Sequence, residues 1–226
     1  MIKFQKVTRT YPPDIIALND VSFDIAAKEF VVLTGRSGAG KTTLFKLLLG
    51  QETPDEGQVI FDGQDVASLN SEALAAVRRK IGVVFQDYKL LNNKTISENM
   101  AYILEAIGCG PGQICEDVPE VLDLVGLTKR ADSFPEHLSG GEAQRAAIAR
   151  AFVHRPDVIL ADEPTGNLDP YHTRDIMKLL LKINEMGATV ILASHDKEVV
   201  NSLGKRVITL EQGRVLRDEV NGKFVL

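Results

Sequence analysis

Apolar positions follow two kinds of pattern along this 226-residue chain, and the change from one to the other marks its organisation. Near the start, Ile2, Phe4 and Val7, and then Val21, Phe23 and Ile25, recur among polar positions with the period of half-buried strands. Gln58-Val59-Ile60-Phe61 is a third strand, bounded by Gly57 and by Asp62-Gly63. Short unbroken apolar runs at 29–34, 81–85, 158–161 and 188–193 predict buried strands, the second of them ending at Gln86. Helical spacing separates these runs. Residues 42–49 predict a helix stopped by Gly50, and 71–80 predict one with Ser71 as its N-cap. Residues 173–186 carry Ile176, Leu179, Leu180 and Ile183 on one face before Gly187. From about 97 to 155 the period is mostly helical, as at Val118, Val121, Leu122 and Val125, with breaks at Gly108, Gly110, Pro111 and Gly112. Strand–helix alternation implies a mostly parallel sheet covered by helices. The expected fold is α/β, a mostly parallel core with an N-terminal antiparallel β subdomain and an inserted helical subdomain. The division places residues 1–86 and 157–226 in the core and β subdomain, and 87–156 in the helical insertion.

Composition adds mainly exclusions. Apolar residues make up 44% of the chain, enough for a sizeable core, yet no run approaches the roughly 18 apolar residues that cross a bilayer. The N-terminus, Met1 to Lys6, alternates like a strand and has no signal-peptide stretch. A cytoplasmic protein is expected, whose place at a membrane requires a partner. The net charge of −5 argues against a nucleic-acid partner, leaving Arg78-Arg79-Lys80 as a local basic cluster. Cys109 and Cys115 have no neighbouring histidine and read as free thiols in a loop, not as a zinc site.

The chemistry concentrates in a few segments. Gly35, Arg36, Ser37, Gly38, Ala39, Gly40, Lys41 and Thr42 fit the phosphate-loop pattern without departure, between a predicted strand and a predicted helix that opens with Thr42 and Thr43. In that context backbone N–H groups and the helix N-terminus face a phosphate, and glycine lets the backbone approach it. A chance match in a chain of this length would arise about once in a hundred cases. Lys41 is expected to reach the β- and γ-phosphates, and the Thr42 hydroxyl to ligate Mg²⁺. Asp162 and Glu163 close a buried strand, on the sheet edge where such folds bind ligands. Neighbouring side chains in extended backbone diverge, so Asp162 is assigned to the metal and Glu163 to the attacking water as general base. His195 follows the last apolar strand and is placed at the γ-phosphate; His137, His154 and His172 are read as ordinary. Gln86 has two readings, a contact to Mg²⁺ or the lytic water, or a strand-terminal amide with no role. Ser139-Gly140-Gly141 precedes a strong helix pattern beginning at Glu142 and makes a second anion-binding turn. Because it comes from the helical insertion it need not face the first. Two chains related by a two-fold axis would let each serine–glycine turn close the other's site.

These segments together resemble the ATP-binding-cassette ATPases, across essentially the whole chain. Leu138 to Glu142 with Gln144-Arg145 is similar to that family's signature, and 35–42 and 158–163 to its Walker A and B segments. Gln86, Asp169 and His195 stand where the family has its Q-, D- and H-loop residues. The resemblance implies a P-loop NTPase core, ATP and Mg²⁺ as ligands, and an ATP-bound homodimer whose closing and opening drive a partner. It places Tyr11 against adenine, although a Tyr before Pro12-Pro13 also suits a packed loop. It extends the nucleotide-contacting set to Thr43, Ser139, Gly140, Gly141, Glu142 and Asp169. Ala143 and Ser194 are departures that touch no phosphate contact. Within the family, 85–95 and 161–169 are similar to the cell-division members. That implies an FtsX-like integral membrane partner, cell-wall hydrolases controlled on the far side, and a position on the inner face of the membrane. Tyr88, Leu90 and Leu91 read either as a partly exposed groove for that partner or as core. Alternatives are a lipoprotein-release or macrolide-type export ATPase, and a soluble cassette acting on DNA or ribosomes. The short interval between loop and signature, and the single cassette, weigh against the last.

Overall fold

The alternating N-terminal positions form β1 (Ile2–Tyr11) and β2 (Ile15–Ile25), an antiparallel pair with Ile2 opposite Ile25 and Phe4 opposite Phe23, in a computed structural model that describes residues 1–225. Their apolar set, Ile2, Phe4, Val7, Val21, Phe23 and Ile25, is buried on one face. Next come β3 (Phe30–Thr34), α1 (Lys41–Leu48), β4 (Glu56–Phe61), the short β5 (Gln64–Asp65), α2 (Ser71–Arg79) and β6 (Ile81–Val84). The helical segment contributes α3 (Ile96–Ala106), α4 (Pro111–Leu124) and α5 (Gly140–Phe152). The chain continues through β7 (Val158–Asp162), α6 (Pro170–Glu185), β8 (Thr189–Ala193), α7 (Lys197–Leu203), β9 (Arg206–Glu211) and β10 (Arg214–Glu219).

Two sheets result. One is antiparallel, in the order β2-β1-β4-β5; the other runs β10-β9-β3-β8-β7-β6, parallel from β9 to β6 with β10 antiparallel at its edge. The unbroken apolar runs are explained by burial on both faces of the larger sheet. Val31, Leu33, Leu160 and Ile191 face a core shared with the antiparallel sheet and α1. Phe30, Val32, Ile159 and Val190 face a second core built with α3 to α6. The carboxyl ends of β3, β8, β7 and β6 therefore stand side by side, delivering 35–40, 194–195, 162–163 and 85–86 to one edge of the sheet.

Several local expectations need correction. Asn70, not Ser71, caps α2, accepting the Ala73 N–H at 2.9 Å. The strand expected to reach Phe85 stops at Val84, and Phe85 is 36% exposed. The helix expected from Thr173 begins at Pro170, a residue suited to the first helical position because its missing N–H would have no partner there. Within the basic cluster Arg78 donates to the carbonyls of Leu49 and Gly50 at the end of α1, Lys80 pairs with Asp62 at 3.0 Å, and Arg79 is exposed. Tyr88, Leu90 and Leu91 are half-buried, and Leu90 packs on the helical core. Cys109 and Cys115 are free, but Cys115 lies within α4 and not in a loop, because Gly110 caps that helix and Pro111 opens it. No helix among the described residues is long and apolar enough to cross a membrane.

Candidate active site

The loop between β3 and α1 owes its path to its glycines. Gly40 sits at φ +103°, and a Cβ there would lie 2.5 Å from the Ala17 carbonyl oxygen and 2.7 Å from Leu18 Cδ2. Only glycine fits that conformation in that space. Gly40 is also the N-cap of α1 and supplies no side-chain cap, so the first N–H groups of the helix are left for another acceptor. Lys41 is 7% exposed. Its Nζ donates to the carbonyls of Gly35 at 2.8 Å and Arg36 at 3.3 Å, and lies 3.6 Å from Glu163 Oε1. A cation is thus folded back over the loop by weak and replaceable acceptors.

Asp162 ends β7, but Glu163 lies just beyond it in left-handed backbone, so the extended pair expected from the sequence does not hold at Glu163. Asp162 Oδ2 accepts the Thr42 hydroxyl at 2.9 Å, and burial, the largest influence, raises its carboxyl above the ordinary range. Glu163 leaves the strand with φ +48°, its N–H bonded to the Ala193 carbonyl at 3.0 Å. That turn brings its Oε1 to 2.8 Å from His195 Nδ1. Glu163 is therefore bracketed by Lys41 and His195. Gln86 lies against Gly166, where a Cβ would stand 2.8 Å from its Nε2.

These side chains line one cavity of about 730 Å³, together with Tyr11, Ser37, Gly38, Ala39, Thr43, Ile15, Phe85 and Asn167. Gly35 and Arg36 take part through the carbonyls that hold Lys41. The Tyr11 hydroxyl bonds to Glu52, with Thr43 Oγ1 at 3.5 Å, and the Arg9 guanidinium lies 5.2 Å from the ring centroid. Ile15, Phe85, Asn167 and Glu52 were not singled out from the sequence. Ile15 and Phe85 sit at strand ends, where an apolar residue does not reveal whether it is covered.

Ser139, Gly140, Gly141, Glu142 and Asp169 do not line this cavity; they form a second cluster. Ser139 caps α5 in a reciprocal capping box with Glu142. The Glu142 carboxylate accepts the Ser139 N–H and hydroxyl, each at 2.9 Å, and pairs with Arg130 at 2.9 Å. The Ser139 backbone bond first, and then Arg130, lower its carboxyl to about 2. Asp169 caps α6, accepting the N–H groups of Tyr171 and His172, and its other oxygen is 2.6 Å from His172 Nδ1. The His172 ring lies against Gly141 with no room for a Cβ. His172, read as ordinary, thus touches the serine–glycine turn. The two clusters of one chain do not share a cavity.

Comparison with known proteins gives this geometry a family. The ABC transporter family model matches residues 18–166. The chain is 49% identical over 224 residues to the cell division ATP-binding protein FtsE of Bacillus subtilis, covering 99% of this chain and 98% of that one. It is 42% identical over 215 residues to the protein of that name in Escherichia coli K12, covering 95% and 97%. A dimeric ATP-binding cassette in a post-hydrolysis state bound to ADP and Pi matches with a TM-score of 0.88 at 37% identity, covering 99% of this chain and all of the other. The chain belongs to the ABC transporter family, in the branch of the FtsE cell division ATP-binding proteins.

Proposed function

We propose that this protein is the ATP-hydrolysing subunit of a cell-division assembly. In this reading it closes into a homodimer around ATP and drives an FtsX-like integral membrane partner that controls cell-wall hydrolases. The observation that carries the reading is the convergence of Lys41, the Thr42–Asp162 pair and the Glu163–His195 pair on one cleft at an uncapped helix N-terminus. ATP supplies what that cleft lacks. Its phosphates take the free N–H groups of the loop and α1, and draw Lys41 away from the Gly35 and Arg36 carbonyls. Glu163 takes a proton from the attacking water, while His195 holds the carboxylate oriented and contacts the γ-phosphate. Gln86 contacts the water or the metal.

Thr42, Asp162 and the Gln86 amide are hard oxygen donors, and the first two are 2.9 Å apart. No group of three or more His, Cys, Asp or Glu among the described residues could hold a metal alone. That suits Mg²⁺, which keeps several waters and shares phosphate oxygens instead of entering an all-protein cage. Bound there, Mg²⁺ would offset charge on the phosphate oxygens.

Ser139, Gly140, Gly141, Glu142 and Asp169 act on the nucleotide of a second copy, which accounts for their separation from the cleft in one chain. Residues 1–86 and 157–226 act as core and β subdomain, with 87–156 as a helical subdomain that moves with the signature turn. Tyr88, Leu90 and Leu91 contact the membrane partner, and the protein sits on the cytoplasmic face of the membrane through it. Phosphate release from ATP in Mg²⁺ tests the enzymatic part, and its absence in folded protein would overturn it. Co-purification with an FtsX-like membrane protein tests the partner; a lipoprotein-release or export permease in its place would overturn the division assignment.

A further inference from the structure

The Tyr11 ring lies at the end of β1, and its position is set from its far end. Its hydroxyl donates to Glu52 Oε2. The same carboxylate accepts Arg9 Nε at 3.3 Å and, through Oε1, Lys46 Nζ at 3.1 Å. Arg9 also pairs with Asp55 at 2.9 Å, and Asp55 accepts the Thr10 N–H at 2.6 Å. Lys46 is on α1, the helix that carries the phosphate loop; Arg9, Thr10 and Tyr11 are on β1; Glu52 and Asp55 lie in the connection between α1 and β4. One side chain, 17% exposed, therefore ties the strand that presents the aromatic ring to the helix that presents the loop. Burial raises the Glu52 carboxyl, but the Tyr11 hydroxyl, Lys46 and Arg9 outweigh it and the net direction is downward. Arg9 and Lys46 lie 5.2 and 5.8 Å from the Tyr11 ring centroid, so the ring is also held by cations that Glu52 keeps in place.

We propose that Glu52 is a positioning residue for the nucleotide base: by anchoring the Tyr11 hydroxyl to Lys46 of α1 and Arg9 of β1, it fixes the base-stacking ring at a set distance from the phosphate loop. The inference rests on reading the cleft as an ATP site with Tyr11 at the base. A ring already immobilised in the free protein loses no rotamer freedom when a base stacks on it. Base contacts are made equally in the ground and transition states, so their loss raises KM and leaves kcat alone.

Five variants and two ligands separate the possibilities. Inorganic tripolyphosphate reads the phosphate loop alone, while ATP reads loop and base together. Glu52→Ala is expected to weaken ATP binding by about three- to tenfold, the scale of freeing one side chain. It should raise KM to match, with kcat and tripolyphosphate affinity as in the wild type. Glu52→Gln retains an acceptor for the hydroxyl and should bind ATP within about twofold of wild type. Tyr11→Phe lacks the hydroxyl and should reproduce the Glu52→Ala effect, and combining the two should add little further loss. Wild-type tripolyphosphate affinity in Glu52→Ala also shows that the cleft is folded. If ATP affinity is unchanged in Glu52→Ala but weakened in Tyr11→Ala, the inference falls and the base reading stands. If Tyr11→Ala also binds ATP normally, Tyr11 is not at the base and both fall. Equal loss of ATP and tripolyphosphate in Glu52→Ala would make Glu52 a general structural support and overturn the inference.

Discussion

Replacing Glu163 by Gln changes one atom of a side chain whose two neighbours have opposite interests in it. Oε1 is 2.8 Å from His195 Nδ1 and 3.6 Å from Lys41 Nζ. Gln keeps the shape and one acceptor for the histidine but cannot take a proton. A positioned general base contributes about 10²- to 10⁴-fold, equivalent to about 3–5 kcal/mol of barrier. Steady-state turnover should fall by that factor. Binding should move the other way. Unit charges 3.6 Å apart attract by about 4–5 kcal/mol at an effective dielectric of about 20, before the cost of taking them out of water is subtracted. Removing the carboxylate charge releases Lys41 for the phosphates and removes a repulsion from them, so ATP affinity should rise, by up to about tenfold on the net scale of such pairs. Phosphate release in single- and multiple-turnover assays measures the first effect, and equilibrium titration with a fluorescent ATP analogue the second. Turnover within about threefold of wild type would show that Glu163 is not the base. Loss of nucleotide binding would show that its charge supports the cleft instead of opposing the ligand.

Lys41→Ala removes the cation at the loop and should weaken ATP binding by at least about 100-fold, the scale of one charged hydrogen-bonding group in a dry site; titration showing wild-type affinity would remove the loop from the account. Gly141→Ala would set a Cβ 2.3 Å from His172 Cδ2. Overpacking of this kind costs about 1–3 kcal/mol, so thermal unfolding should show a loss that His172→Ala restores; no restoration would mean that the clash lies elsewhere. The Glu142 carboxyl is held at about 2, so its cap is fully present above the ordinary carboxylate range near 4.5 and is lost as pH falls toward 2. The stability difference between wild type and Glu142→Gln should be constant at neutral pH, on the order of 1–2 kcal/mol for a group at the solvent edge. It should shrink below about pH 4.5; a difference that grew on acidification would contradict the assignment.

The parts of the fold legible from sequence are those where one side chain type has one meaning. Apolar runs such as 158–161 and 188–193 are long enough, and bounded sharply enough, to mark strands buried on both faces. The glycine loop carries its own geometry, since Gly40 is required by a carbonyl 2.5 Å from where a Cβ would stand. Other features depended on competition between neighbours. Asn70 and Ser71 are both good caps, and only the backbone direction decides for Asn70. Pro170 was a usable signal for the start of α6, and Asp169 before it a usable cap, but periodicity begins later, at Ile176. The strands β9 and β10 and the helix α7 are short and lie among charged residues, so pattern alone did not separate them. In the candidate site, Lys41 and Thr42 are legible from the glycine-loop pattern, and Asp162, Glu163 and His195 from their place at or just beyond a strand end on one sheet edge. Glu52 and His172 are not, because their partners are remote: Glu52 meets Arg9 at a separation of 43 residues, and His172 meets Gly141 across two helices.

The central claim is that an active site is completed only when the serine–glycine turn of one copy closes the cleft of another. Light scattering of Glu163→Gln with ATP, across a concentration series and beside the Glu163→Gln, Ser139→Arg double variant, tests it directly. The first should double from the monomer mass of 24.7 kDa on adding ATP, and the second should bind ATP yet remain a monomer. A Glu163→Gln protein saturated with ATP and still at monomer mass at every concentration, or a double variant that dimerises as readily, would contradict the account.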